Sequence, residues 1–444
     1  MSSFIKQFLS KKLLTTSTIR NNLNLKFKST TTNKFLHTQS QSKINQLNKT
    51  NTNTMCTTPA ERLSSIANTI TPRRKDSTSL DPEDYPERPF RITVVGSGNW
   101  GSTIAKVVAE NTVERPLQFE RNVNMWVFEE LIEGEKLTSI INTKHENVKY
   151  LPGIKLPANV IAVPDIVEAC ENADLIIFNI PHQFLPRILS QLKGKVNPNT
   201  RAISCLKGLQ VNPDGCKLLS TSITEEIGIH CGALSGANLA PEVAQCKWSE
   251  TTVAYSIPKD FRGKGKDIDH QTLRCLFHRP YFHVRVISDV EGISIAGALK
   301  NVVAMAAGFV EGLGWGDNAK SAVMRIGLCE TIQFAKMFFK NAEDSTFSYE
   351  SAGVADLITT CSGGRNVRVG KYMAEHKVSA FEAEEKLLNG QSCQGMHTCK
   401  EVHEFLVNMG EISKFPLFEV TYRIIYENFP MEKLPECLEH NYDD

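Results

Sequence analysis

The sequence predicts an α/β chain: an N-terminal domain built on a parallel sheet, followed by an all-α C-terminal domain. Three observations predict it. The β-branched run Ile92 to Val95 meets the glycine turn Gly96-Ser97-Gly98-Asn99-Trp100-Gly101, and a helix-forming stretch from Ser102 to Glu110 follows. Short apolar runs then alternate with helical patterns at the spacing of βαβ units. Beyond Asp289, strand-like runs give way to long helical patterns that reach the C-terminus.

A chain of 444 residues has room for two domains and extra segments. Its 50 basic and 49 acidic residues balance, which argues against a dominant surface for nucleic acid or membrane. No uninterrupted apolar segment approaches the ~20 residues that span a bilayer, so no integral membrane segment is expected. The 12 cysteines are scattered without a C-x-x-C pair, which suits a reducing compartment. Residues 1–60 hold nine Lys or Arg and no acid; the first is Glu61. Phe4, Ile5, Phe8 and Leu9 can share one helical face opposite Lys6, Lys11 and Lys12, the profile of a mitochondrial presequence. A plain polar tail is the alternative, and initiation at Met55 would give a cytoplasmic form. Residues 1–88 are therefore a leader and linker, 89–288 the nucleotide domain and 289–444 the helical domain.

In the nucleotide domain, Gly96 permits a tight turn, Gly98 lets a pyrophosphate approach the backbone, and Gly101 allows close packing of helix on strand. The N–H groups that open the helix attract phosphate. A glycine turn without a ligand is the plainer reading. Val123 to Phe128 is the second strand, and Glu129-Glu130 after it suit the adenosine ribose; no Arg follows Phe128, which favours NAD over NADP. Val160 to Val163, Asp174 to Ile180 and Arg201 to Leu206 are further strands, with helices at Asp165 to Ala169 and Gln183 to Leu192. Ligands bind beyond the carboxyl ends of such strands, which singles out Pro181-His182-Gln183-Phe184 and Leu206-Lys207-Gly208. Lys207 can meet a phosphate or carboxylate there; His182 by itself reads as structural. The strands continue through Thr252 to Ile257 and end with Phe282 to Val286, and Lys259 to Arg274 reads as a charged surface excursion.

In the helical domain, Lys300 is the single charge between Glu291 and Glu311. Burial on so apolar a helix disfavours its charged form and suits it to donate a proton to a developing alkoxide. A lysine that snorkels to solvent or pairs structurally is the alternative. Asn301 adds a hydrogen-bonding group beside it. Asp356 and Thr360, four apart, share a helical face, and Gly363-Gly364 can deliver Arg365 and Asn366 to the start of the next helix, where an Arg fork and free N–H groups suit an anion. No His, Cys or carboxylate cluster has metal-ligand spacing.

The motifs GSGNWGS, MWVFEE, INTKHENVKYLPG, PHQF, LKG, GALKN and GVADLITTC-x-GGRN together resemble the NAD-dependent glycerol-3-phosphate dehydrogenases of the eukaryotic type, over roughly residues 89–430. The resemblance implies a Rossmann-type domain and an all-helical substrate domain, in a homodimer. It implies reversible reduction of dihydroxyacetone phosphate to sn-glycerol 3-phosphate by NADH. Lys300 matches the family's general acid/base and Lys207 its lysine at the substrate. Asn301, Asp356 and Thr360 match further active-site groups, and Arg365 and Asn366 the pair holding the phosphate. The fingerprint, Phe128, Phe184, Ala240, Arg365 and Gln394 match cofactor contacts. Ser392 stands where animal members often carry lysine. The nearest rivals are a 6-phosphogluconate or β-hydroxyacid dehydrogenase and a non-catalytic NAD(H) sensor.

Overall fold

The computed structural model describes residues 85–439 apart from 213, 214, 389 and 391, so the presequence reading of residues 1–60 falls outside the described residues. The strands are β1 (Phe90–Val95), β2 (Phe119–Trp126), β3 (Leu131–Ile132), β4 (Glu135–Lys136), β5 (Val160–Val163), β6 (Leu175–Phe178), β7 (Arg201–Ser204), β8 (Leu209–Asn212), β9 (Gly215–Leu218), β10 (His230–Ser235), β11 (Ser249–Ala254) and β12 (Phe282–Ile287). Eight of them form one sheet in the order β12-β11-β10-β7-β6-β1-β2-β5, while β3-β4 and β8-β9 are separate hairpins. The chain leaves β1 for β2 and β5 on one side, then returns to β6 on the other. This reversal opens a crevice at the carboxyl ends of β1 and β6, the position where doubly wound sheets take their ligands.

Helices α1 (Asn99–Glu114), α2 (Leu137–Lys144), α3 (Ile166–Cys170), α4 (Leu185–Leu192), α5 (Leu219–Ile227), α6 (Ala240–Ala244) and α7 (His270–Phe277) accompany the strands. Ile104, Ala105, Val107, Val108 and Ala109 of α1 are fully buried in one core with β1 and β2. Asp165 caps α3 as its sequence suggested, accepting from the N–H groups of Val167 and Glu168 at 2.8 and 2.9 Å.

The sequence reading of this half needs three corrections. The sheet is not parallel throughout: β11 runs antiparallel to β10, and β12 parallel to β11. Strand β10 was not anticipated, because His230-Cys231-Gly232-Ala233 offers no continuous run of large apolar residues. Its smallness has a cause, since a Cβ on Gly232 would lie 2.4 Å from the Ala254 carbonyl oxygen on the neighbouring strand. Finally, Lys259 to Arg274 is not a simple surface excursion. Asp267 is wholly buried, and its carboxylate takes a two-pronged contact from the equally buried Arg201, at 2.9 and 2.7 Å. Arg262 adds a contact at 3.2 Å. Burial pushes the Asp267 carboxyl up, but these guanidinium bonds outweigh it and hold the group well below the usual carboxylate range.

After β12 the chain is helical: α8 (Val290–Gly312), α9 (Gly316–Phe338), α10 (Asp344–Tyr349), α11 (Asp356–Gly363), α12 (Arg365–His376), α13 (Ala380–Leu388), α14 (Gln394–Asn408), α15 (Pro416–Tyr426) and α16 (Leu434–Leu438). Helix α8 is capped by Asp289, which accepts from the Gly292 N–H at 2.7 Å. By length and composition it could cross a membrane, but it is 94% buried over its most apolar window, at the centre of the helical core. Its backbone touches that of α12. A Cβ on Gly308 would stand 2.4 Å from the Val367 carbonyl oxygen, and one on Gly370 would stand 2.5 Å from that of Met305. Only glycine allows this approach. Helix α15 is pinned to α9 by Glu330, which accepts from the Leu417 and Phe418 N–H groups at 2.7 and 3.1 Å.

The buried Arg201–Asp267 pair yields a stability test. Asp267→Ala removes the two-pronged partner of a buried guanidinium, leaving it only the exposed Asp260 at 3.2 Å, and should cost about 3 kcal/mol in urea unfolding. The double substitution Arg201→Met with Asp267→Leu should cost far less. Because the folded carboxyl titrates below its unfolded value, the wild-type contribution is present above about pH 4 and is lost as pH falls. A single variant as stable as wild type would show that the pair does not hold this loop.

Candidate active site

The glycine turn at the end of β1 is built as the sequence suggested. Gly96 has φ +113°, and a Cβ there would stand 2.6 Å from the Asn179 carbonyl oxygen; one on Gly101 would meet the Gly96 carbonyl oxygen at 2.1 Å. Above Gly98, by contrast, there is nothing within 4 Å. Gly98 is also the N-cap of α1, with no side chain closing the helix start. An open glycine beneath first-turn N–H groups is a cradle that fits a dinucleotide pyrophosphate. The Ser97 carbonyl is fixed from below by Asn147 Nδ2 at 2.7 Å and Ser102 Oγ at 3.1 Å. Asn147 is fully buried, and its distance in sequence from the turn hides this role.

The other residues matched to the cofactor lie around this cradle. Phe128 and Phe184, past the ends of β2 and β6, are 62% and 51% exposed, so two large rings face solvent beside the crevice. Ala240 opens α6, and its carbonyl accepts from Thr103 Oγ1 of α1 at 3.2 Å. Asn99 is exposed, whereas Trp100 turns away to pack edge-on against Phe282, ring centres 6.3 Å apart. The expectation for the acidic pair is corrected. Glu129 caps α2 through Thr138, accepting from its N–H at 3.2 Å and its hydroxyl at 2.6 Å. Glu130 accepts from the Tyr150 hydroxyl at 2.7 Å and pairs with Lys149. Both carboxylates are already engaged within the protein. His182 bonds Gln394 of the helical half; burial first, then the nearby His397, lower its pKa.

Where the helical half meets the sheet, three of the predicted groups converge on the carboxylate of a fourth. Asp356, the first residue of α11, is buried and pairs through Oδ2 with the buried Lys300 of α8. The same oxygen lies 3.4 Å from Lys207 Nζ, which is 37% exposed. Thr360 Oγ1, one turn along α11, is 3.5 Å from Oδ1. Ser235, at the end of β10, also brings its hydroxyl to 3.4 Å from Oδ2, and nothing in the sequence marked it. Burial lowers the Lys300 pKa most; Asp356 opposes that shift and Lys207 reinforces it. Lys300 thus holds its proton less firmly than an exposed lysine, as a proton donor at neutral pH requires.

Asn301 and Asn366 form a second node. Asn366 Nδ2 donates to Asn301 Oδ1 at 2.8 Å, while its own oxygen accepts from the Gly395 N–H at 2.9 Å and the Cys393 thiol at 3.2 Å. The Asn366 side chain thereby joins α8, α12 and α14, and what it can offer an anion is the second N–H of its amide together with the first-turn backbone of α12. Arg365, exposed at that same helix start, carries the guanidinium. Gln394 opens α14 beside it.

Models of the NAD-dependent glycerol-3-phosphate dehydrogenase family match this chain in both halves, the N-terminal model over residues 91–260 and the C-terminal model over residues 289–436. A glycerol-3-phosphate dehydrogenase [NAD(+)] of Pichia angusta is 70% identical over 386 residues, covering 87% of this chain and all of that protein. One from Saccharomyces cerevisiae is 62% identical over 380 residues, covering 86% of this chain and 97% of the relative. Among solved structures, the glycerol-3-phosphate dehydrogenase of Saccharomyces cerevisiae superposes with a TM-score of 0.77 at 64% identity, over 79% of this chain and 100% of that one. That of Plasmodium falciparum gives 0.72 at 36% identity, over 79% of this chain and 95% of that one.

The two outer glycines of the cradle and the middle one should separate cleanly on mutation. Gly101→Ala forces a methyl against the Gly96 carbonyl and should lower the unfolding temperature as well as abolish NADH binding. Gly98→Ala meets no protein atom and should leave the unfolding temperature of the ligand-free protein unchanged, while weakening NADH in a fluorescence titration by tenfold or more, about 1.4 kcal/mol. Equal NADH affinity in Gly98→Ala and wild type would remove the pyrophosphate from this turn.

Proposed function

The chain belongs to the NAD-dependent glycerol-3-phosphate dehydrogenase family, and from that premise we propose how its own residues divide the reduction of dihydroxyacetone phosphate to sn-glycerol 3-phosphate. The observation that carries the proposal is the single carboxylate of Asp356, shared by a buried and a half-exposed lysine on the helical side of a dinucleotide crevice. The Gly98 cradle, with Phe128 and Phe184 at its flanks, would hold NADH, which would supply the hydride for the ketone carbon. Every other step falls to the protein.

As negative charge develops on the ketone oxygen, Lys300 gives it a proton. Asp356 keeps Lys300 oriented and keeps enough of it protonated to serve. Lys207, on the solvent side of the same carboxylate, supplies positive charge to the substrate. Asn301 offers its amide to the same oxygen, with its rotamer fixed by Asn366. Arg365 and the start of α12 grip the phosphate, remote from the reacting carbon, so that their binding energy goes into orientation. The family resemblance extends this to a homodimer, which sedimentation equilibrium of the purified protein tests.

Lys300→Ala should lower kcat at least ~10²-fold while NADH still binds, since a positioned acid contributes about that much or more. The acid must be protonated for reduction, so wild-type kcat/KM should fall as pH rises through a pKa below that of an ordinary lysine. Lys300→Ala should lose that limb; unchanged turnover would take Lys300 out of the chemistry.

Arg365→Ala should act differently, raising KM for dihydroxyacetone phosphate far more than for dihydroxyacetone. An equal effect on the phosphorylated and unphosphorylated ketone, in initial-rate assays, would rule out Arg365 as the phosphate anchor.

A further inference from the structure

Ser235 closes β10 on the sheet side of the crevice, and its side chain is buried. Its hydroxyl points at Asp356 Oδ2, the oxygen that also receives Lys300 and Lys207. Thr360, by contrast, faces Oδ1. A second observation, independent of that 3.4 Å distance, comes from the opposing helix. At Gly297, one turn before Lys300 and Asn301, a Cβ would lie 2.9 Å from Ser235 Oγ but 3.7 Å from Ser235 Cβ. The first is closer than such contacts run; the second is ordinary van der Waals contact. A glycine inside a helix is destabilising relative to alanine. Helix α8 therefore carries a notch, and the atom occupying it is the serine hydroxyl.

We propose that Ser235 is a positioning residue for proton transfer: its hydroxyl donates to Asp356 Oδ2, holds that carboxylate in register with Lys300 and absorbs part of its negative charge. This rests on the reading of Lys300 as the proton donor. Asp356 is the group that favours the charged form of Lys300 against burial. A donor taken away from the carboxylate leaves more of its charge for Lys300, which then keeps its proton more tightly. The ionisable groups facing this point are Lys300 from α8, Lys207 beyond β7 and the buried thiol of Cys361 on α11, itself influenced by Lys320 of α9. Beside these groups, Ser235 is a neutral donor that can tune Oδ2 without adding charge.

The test is the pH profile of kcat/KM for dihydroxyacetone phosphate in Ser235→Ala, Gly297→Ala and the double variant, with Lys300→Ala alongside. Ser235→Ala should lower kcat about tenfold, as expected for one lost hydrogen bond to a charged group. It should leave KM and NADH affinity close to wild type and move the descending limb to higher pH. Gly297→Ala should produce the same shift, because its methyl displaces the hydroxyl. In the Ser235→Ala background it should add nothing further, since only the 3.7 Å contact remains. A wild-type profile in Ser235→Ala, or full additivity in the double variant, overturns the proposal. If Lys300→Ala itself turns over normally, the reading beneath the proposal falls; if Lys300→Ala is inactive while Ser235→Ala matches wild type, the role of Ser235 alone falls.

Discussion

The constraint on which the site depends is the contact between the backbones of α8 and α12. The first helix carries Lys300 and Asn301, and the second begins with Arg365 and Asn366. Gly308 and Gly370 let the two come together with no side chain between them. The separation between the backbones that carry Lys300 and Arg365 is then set by covalent geometry and close packing, which deform little. The bond between Asn366 and Asn301 ties the same two helices at their functional ends, and α14 is drawn to the node through Gly395. A ketone and a phosphate held at a fixed spacing are selected by length as well as by charge.

Asp356 is placed by a different device, one that joins the two halves of the chain. The segment before it, Ser351–Ala355, is kinked, with Gly353 at the non-helical φ −87° and ψ −116°. Its entry is held to the sheet by Glu350, which pairs with Arg285 Nε at 2.9 Å and accepts from Thr252 Oγ1 at 3.2 Å. Ser351 Oγ donates to the Glu250 carbonyl at 2.9 Å. The carboxylate that governs Lys300 is thus referenced to β11 and β12, while Lys300 itself is referenced to the helical core. Their meeting point is where movement of one half against the other would be felt first.

Much of this was legible in the sequence because it is local. The glycine turn, the Asp165 cap and the apolar length of α8 are each written within a few consecutive residues, and so is the pairing of Asp356 with Thr360. What was not legible depends on partners far away in the chain. The charged loop around Asp267 looked solvated because the buried arginine that draws it inward is 66 residues distant. Glu129 and Glu130 looked available because nothing nearby shows that Thr138 and Tyr150 have claimed them. Strand β10 was hidden by its small residues, which exist to let a neighbouring backbone close in. Ser235 carries no signal at all by itself; its meaning lies in a glycine 62 positions later that packs directly against its hydroxyl.

Helix α8 has a consequence that concerns the making of the protein. Most of its cover comes from α9, α11, α12 and α14, all of which follow it in the chain. Synthesis from Gly312 to Asn408 spans 96 residues (408 − 312), which at cellular translation speeds takes roughly 5–20 s. Until the last of these elements emerges, this 23-residue segment lacks part of the cover it has in the finished fold. The same apolar surroundings that bury Lys300 in the finished fold are thus assembled around it only late in synthesis.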